Sequence, residues 1–241
     1  MRNILDLSPN FSKKTRKKSN IKFVIIHYTG MQSEIESFYR LKDKKSKVSC
    51  HYIINKKGKI FQMVLDKHSA WHAGKSRWQN YRNLNKYSIG IELVNRGHAY
   101  GYENYSKKQI NSLIKLCKKL KTKYRLKKEN FLGHSDVAPL RKIDPGEKFP
   151  WEKMSKISLG LWYNKKKLKN QFKVKKNLKY KELFFKNLHN IGYRYFQISK
   201  RKSGDKKVIR AFQMRFIPRE VTGKIDKKTL QISSFLSNLR K

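Results

Sequence analysis

Apolar positions along the chain change period several times, and each change marks an element. Phe23-Val24-Ile25-Ile26 is apolar at every position, which predicts a buried central strand over 22–27 that ends at His27. Ser33 is placed to cap a helix over 34–42, with Ile35, Phe38, Tyr39 and Leu41 on or near one side. Segments 48–55 and 59–64 flank Lys56-Lys57-Gly58, the pattern of a hairpin with glycine at its turn. Another strand is predicted over 87–94. From 107 to 124, Ile110, Leu113, Ile114, Cys117, Leu120 and Tyr124 recur at helical spacing behind a Ser106/Gln109 capping-box pattern. Phe131-Leu132 reads as a short strand. Strands interleaved with helices predict an α/β fold, a mixed central β-sheet flanked by helices, over residues 1–163.

Beyond Trp162 the pattern changes. Residues 164–178 are rich in lysine and weakly periodic, which suits a linker. Three helical patterns follow, over about 179–190, 206–216 and 227–239, with Asp226 placed to cap the last. They predict a small C-terminal three-helix bundle spanning 179–241 as a second domain.

Polar residues that interrupt these patterns carry the candidate chemistry. Between Gly133 and Gly146 a histidine, two carboxylates and two cations lie among proline and glycine breakers. Pro139 and Pro145 each remove a backbone donor, so the segment reads as a loop held in one shape. A strand-terminal His27 with His134 and Asp144 from that loop makes a two-imidazole, one-carboxylate set. Such a set suits Zn²⁺ in a catalytic site, because a fourth position stays free for water. Glu92 is a charge set in the apolar run Ile89-Gly90-Ile91-Glu92-Leu93-Val94. Burial would raise its pKa and suit it to general-base work on water; the alternative is an inward carboxylate paired with an Arg or Lys. Lys142, two residues before Asp144, is placed to stabilise an oxyanion, although lysine is abundant throughout this chain.

Five motifs occur in one order: His27-Tyr28-Thr29, Ser49-Cys50-His51-Tyr52, Trp71-His72-Ala73-Gly74, Ile89 to Asn95, and the loop from Gly133 to Trp151. Together they resemble the zinc-dependent N-acetylmuramoyl-L-alanine amidases, the family that includes phage lysozyme-type amidases and peptidoglycan recognition proteins. The resemblance implies zinc at His27, His134 and Asp144, and a catalytic pair in Glu92 and Lys142. It also implies a substrate groove with His72, Trp71 and Asn95. The presence of Glu92, and Cys50 where the phage branch has a tyrosine, point to the bacterial cell-wall recycling branch. The segments around Gly192-Tyr193, Phe212-Gln213 and Asp226 to Thr229 resemble helical peptidoglycan-binding domains. The implied activity is hydrolysis of the amide between N-acetylmuramic acid and L-alanine, in peptidoglycan or soluble anhydro-muropeptides, by a monomer.

Composition narrows this reading less than the motifs do. The 241 residues carry 60 Lys+Arg against 16 Asp+Glu, a formal charge of +44. An anionic partner such as a wall polymer fits that charge; so does solvated surface lysine. Aromatic residues are not clustered within the basic stretches, so nucleic acid is not expected as the partner. A non-catalytic peptidoglycan receptor would share the fold, but all three expected zinc ligands are present here. Two cysteines make no disulfide framework, and no apolar run is long enough to span a bilayer. The lack of a secretory pattern over residues 1–20 points to the cytoplasm, whereas a wall-binding C-terminal module points to the periplasm or envelope.

Overall fold

The computed structural model describes residues 4–170 and 180–240. Its main sheet has the strand order Ile4–Leu5, Ile60–Gln62, Tyr52–Ile54, Ser88–Leu93, Phe23–Tyr28, Phe131–Gly133. The last four run parallel, and the hairpin of Tyr52–Ile54 with Ile60–Gln62 adds an antiparallel pair, so the sheet is mixed. Phe23–Tyr28 lies between two parallel neighbours. A strand with no polar position before His27 is stable there because both of its faces are covered.

Alternation along this strand assigns the two faces. Val24 and Ile26 join Ile89, Ile91 and Leu93 under the helix Lys107–Tyr124, where Ile110, Leu113, Cys117 and Leu120 complete one core. Each such aliphatic side chain contributes about 1.5–3 kcal/mol on burial. Ser106 caps this helix through its Oγ, which accepts from the Gln109 N–H at 3.1 Å. The second half of the expected capping box does not form. The Gln109 amide instead donates to Ile54 O at 2.9 Å and Val94 O at 3.1 Å, pinning the helix to the strand ends. Both cysteines are free and buried.

Phe23, Ile25 and Leu132 face the other way. They belong to a cluster with Trp78, Leu84, Phe184, Phe185, Leu188, Tyr193, Phe212, Phe216 and Leu236. Most of these come from three C-terminal helices, Tyr180–Ile191, Asp205–Phe216 and Lys227–Asn238. The bundle and the second sheet face therefore share one continuous core. Asp226 caps the last helix, accepting from the Thr229 N–H at 2.7 Å.

Three local expectations change. The helix Glu34–Lys42 forms with its Ser33 cap, but Ile35 and Tyr39 are 81% and 74% exposed. Ser37 and Leu41, one turn apart, take the inward stripe, which leaves Ile35 and Tyr39 on the opposite side. Within the presumed loop, His134–Val137 is one helical turn; the Asp136 carboxylate accepts from the Gly133 N–H at 2.7 Å, and Pro139 comes after the turn. In the lysine-rich stretch expected as a linker, Lys165–Asn170 is helical, and 171–178 lies outside the described residues. No described helix is long and apolar enough to cross a membrane.

Candidate active site

The ends of the parallel strands open onto a cleft of about 350 Å³. His27 and Glu92 are register partners on adjacent parallel strands, so both side chains project from the same sheet face. His134 and Asp144 arrive from the segment after Gly133. A backbone bond from the Ser135 N–H to Asp144 O, at 2.8 Å, closes that segment on itself. Gly133 must be glycine here: a Cβ would meet Pro145 Cδ at 2.8 Å.

The ligand atoms meet at one point. His27 Nδ1, His134 Nδ1 and Asp144 Oδ2 lie 3.0 Å from one another, and all three residues are buried. The outer nitrogens fix the tautomers. Ser88 Oγ donates to Leu84 O at 2.6 Å, so at 3.1 Å it can only accept from His72 Nε2–H. His72 Nδ1 is then an acceptor, and at 3.0 Å it takes the His27 Nε2–H. His134 Nε2 lies 3.2 Å from Ala73 O, which can only accept, and 3.4 Å from Arg141 Nη2; the nearer carbonyl sets its proton on Nε2. Each neutral imidazole therefore turns an unprotonated Nδ1 toward the carboxylate. Three lone pairs facing one another repel unless a cation lies among them, and outer partners of this kind are what orient histidine ligands. The donor set fits a divalent metal, and zinc in particular.

Electrostatics agree with a neutral His27. Burial pushes His27 down to about 4; a second imidazole at close range, His134, further disfavours a positive charge there, against the pull of Asp144. Glu92 moves the opposite way. Burial raises it to about 8, the Asp144 charge adds, and Lys142 opposes. Its Oε2 is buried without a hydrogen-bond partner, so the alternative of a carboxylate satisfied by an Arg or Lys does not hold at that atom. Lys142 lines the same cleft, half-buried.

The three residues expected in the groove separate. Trp71 lines the cleft. His72 borders it but is 8% exposed, with both ring nitrogens engaged by His27 and Ser88. Its ring lies on the strand backbone at Gly90, where a Cβ would sit 2.3 Å from Cγ. Asn95 does not reach the cleft. It is 1% exposed, its amide donates to Glu103 O, and its oxygen accepts from the Gly97 N–H, so it braces a loop. Arg40 and Arg96 also line the cleft and were not singled out from the sequence, being ordinary in so basic a chain.

Comparison with known proteins gives the same result. The model of the N-acetylmuramoyl-L-alanine amidase family matches residues 17–147. The N-acetylmuramoyl-L-alanine amidase AmiD of Escherichia coli is 34% identical over 231 residues, covering 90% of this chain and 82% of AmiD. The 1,6-anhydro-N-acetylmuramyl-L-alanine amidase AmpD of Haemophilus influenzae is 32% identical over 164 residues, 61% of this chain and 86% of that protein. The structure of AmiD with anhydro-N-acetylmuramic acid-L-Ala-D-γ-Glu-L-Lys superposes with a TM-score of 0.80 at 32% identity, over 95% of this chain and 92% of that one. AmpDh3 from Pseudomonas aeruginosa, in complex with an anhydromuramic pentapeptide, reaches 0.80 at 27% identity, over 96% of each chain. This chain belongs to the N-acetylmuramoyl-L-alanine amidase family, hydrolases of peptidoglycan turnover that cleave the amide joining N-acetylmuramic acid to L-alanine.

Proposed function

We propose that His27, His134 and Asp144 hold Zn²⁺, that Glu92 and Lys142 act on the amide, and that the substrate is a muropeptide of the anhydro type. The observation that carries this reading is the convergence of three unprotonated ligand atoms at 3.0 Å, with both imidazole tautomers set from behind. Zinc bound there would lower the pKa of a water and polarise the carbonyl. Glu92, half-buried beside His27 with its Oε2 buried and unpartnered, takes the proton of the attacking water and delivers it to the departing amine of L-alanine. Lys142 places its ammonium where the carbonyl oxygen gains charge. His72 positions His27, and Trp71 offers an apolar wall for substrate.

The cleft lining favours an acidic ligand. Arg40, Arg96, Arg141 and Lys142 border it, and its only acids among the described residues are Glu92 and Asp144. A stem peptide carries carboxylates that such a lining attracts. AmiD and AmpDh3 were each captured with an anhydro-muropeptide, which supports that substrate class here. We also propose residues 1–163 as the amidase domain, 164–178 as a lysine-rich linker, and 179–241 as a peptidoglycan-binding-like domain.

Mass spectrometry of products, from soluble anhydro-muropeptides and from intact sacculi, tests the reading. Free stem peptide should appear with the native protein and disappear with a chelator. Unchanged muropeptide in every arm would refute it.

A further inference from the structure

Two residues after the ligand His134, Asp136 is a carboxylate that is 1% exposed. Its Oδ2 accepts from the Gly133 N–H and from Arg215, and its Oδ1 accepts from the Tyr193 hydroxyl. Both of those side chains come from the C-terminal helical region, and both are buried, at 4% and 0% exposure. Arg215 does more than pair with Asp136. It donates to Phe131 O at 3.0 Å, at the strand leading into the turn, and its guanidinium lies 4.0 Å over the ring of Trp151. Trp151 opens the helix that follows the Asp144 segment. One arginine thus touches the strand before His134, the turn that carries it, and the segment after Asp144. At the far end of the loop, Lys207 donates to Leu140 O at 3.1 Å.

The turn cannot set its own orientation. His134–Val137 is four residues long, and the Ala138 N–H to His134 O bond is the first closure of a helix that goes no further. One turn is below the length at which helical hydrogen bonds sustain themselves. A metal site tolerates only about 0.5 Å of ligand displacement. If Arg215 were absent, Asp136 would be a buried charge without a counter-ion, and moving the turn toward solvent would relieve it.

We propose that Arg215 and Tyr193 are positioning residues for the metal site, acting on His134 through Asp136. The C-terminal bundle is then part of the metal-binding apparatus of the amidase, whatever else it binds. This inference rests on the reading of His27, His134 and Asp144 as ligands.

The test uses full-length protein stripped of metal, with zinc affinity measured by chelator competition alongside circular dichroism, Tm, kcat and KM. Tyr193→Phe removes one hydroxyl from an otherwise unchanged core. Arg215→Lys keeps the charge and loses the fork. Gln213→Ala is the control: Gln213 ties the same helix to Lys224 and Gly223 within the bundle, so its loss weakens the bundle without touching the turn. The expected result is a folded Tyr193→Phe protein whose zinc Kd rises about 10–100-fold, as loss of outer-shell partners does. Its kcat should fall while KM is kept. Arg215→Lys should follow the same direction, and Gln213→Ala should lower Tm with zinc Kd unchanged. If Arg215→Lys fails to fold, Tyr193→Phe alone decides. Wild-type zinc affinity and kcat in a folded Tyr193→Phe protein would overturn the proposal, as would an equal loss of affinity in Gln213→Ala. A native protein that binds no zinc would instead fail the ligand reading.

Discussion

Asp66 and Asp144 are carboxylates of similar burial, 8% and 6% exposed, and their surroundings differ in one respect. Asp66 is ringed by donors: the Tyr52 hydroxyl at 2.7 Å, the Lys123 ammonium at 2.7 Å and the Tyr124 hydroxyl. Burial raises its pKa, but those hydrogen bonds outweigh it and hold the carboxyl below its ordinary value. The protein itself supplies everything this charge needs. Asp144 is ringed by acceptors, because both imidazoles that face it carry their protons on the far nitrogen. A buried carboxylate saturated by donors is a fastening; one surrounded by lone pairs is a place for a cation.

The comparison can be strained from both sides. Glu92→Gln should have the largest effect on catalysis, lowering kcat about 10²–10⁴-fold, the usual contribution of a general base. Zinc should remain bound at wild-type affinity, measured by calorimetry. Near-normal turnover would show that another group takes the proton. Asp66→Ala should act on stability instead. It leaves the buried Tyr52 hydroxyl without an acceptor, at about 1–3 kcal/mol, and turns the half-buried Tyr124 hydroxyl to water. Tm should fall by several degrees in calorimetric scans while zinc affinity and kcat hold. Lost zinc binding in that variant would mean that the two carboxylates are not separate systems.

The last expected effect is a pH slope. Burial lowers His51 to about 3 and His27 to about 4, against ordinary values near 6.5. The unfolded chain then binds more protons than the folded one between those limits. Metal-free protein should therefore keep full stability above about pH 6.5 and lose it steadily toward pH 4. A flat Tm across that window would contradict neutral buried histidines.

How much of this was legible in the sequence follows from where each signal lies. Periodicity located the long helix over 107–124 and the central strand because each buries a continuous face. His27, Glu92, His134 and Asp144 stood out as polar residues at strand ends or within breakers, where packing alone would not place them. His72 was found, but its part was not, because its ties to His27 and Ser88 depend on register and on Gly90 leaving room for the ring. Asn95 was assigned to the groove from its motif alone, and its side chain proved to serve the backbone of its own loop. The helical turn at His134–Val137 was hidden by prolines that follow it rather than interrupt it. Arg215 had a signature like that of Glu92, a charge next to the apolar residues Met214, Phe216 and Ile217. It passed unnoticed because 60 basic residues made one more cation uninformative. Tyr193 carried no polar signal, since only the fold brings its hydroxyl to Asp136.

The central claim is that the Asp144 cluster is a zinc site. The direct measurement is calorimetric zinc titration of metal-stripped wild type, Asp144→Ala and Asp66→Ala. One tight site per chain is expected in wild type and in Asp66→Ala, and none in Asp144→Ala. Tight binding that survives in Asp144→Ala, or is absent from wild type, would contradict it.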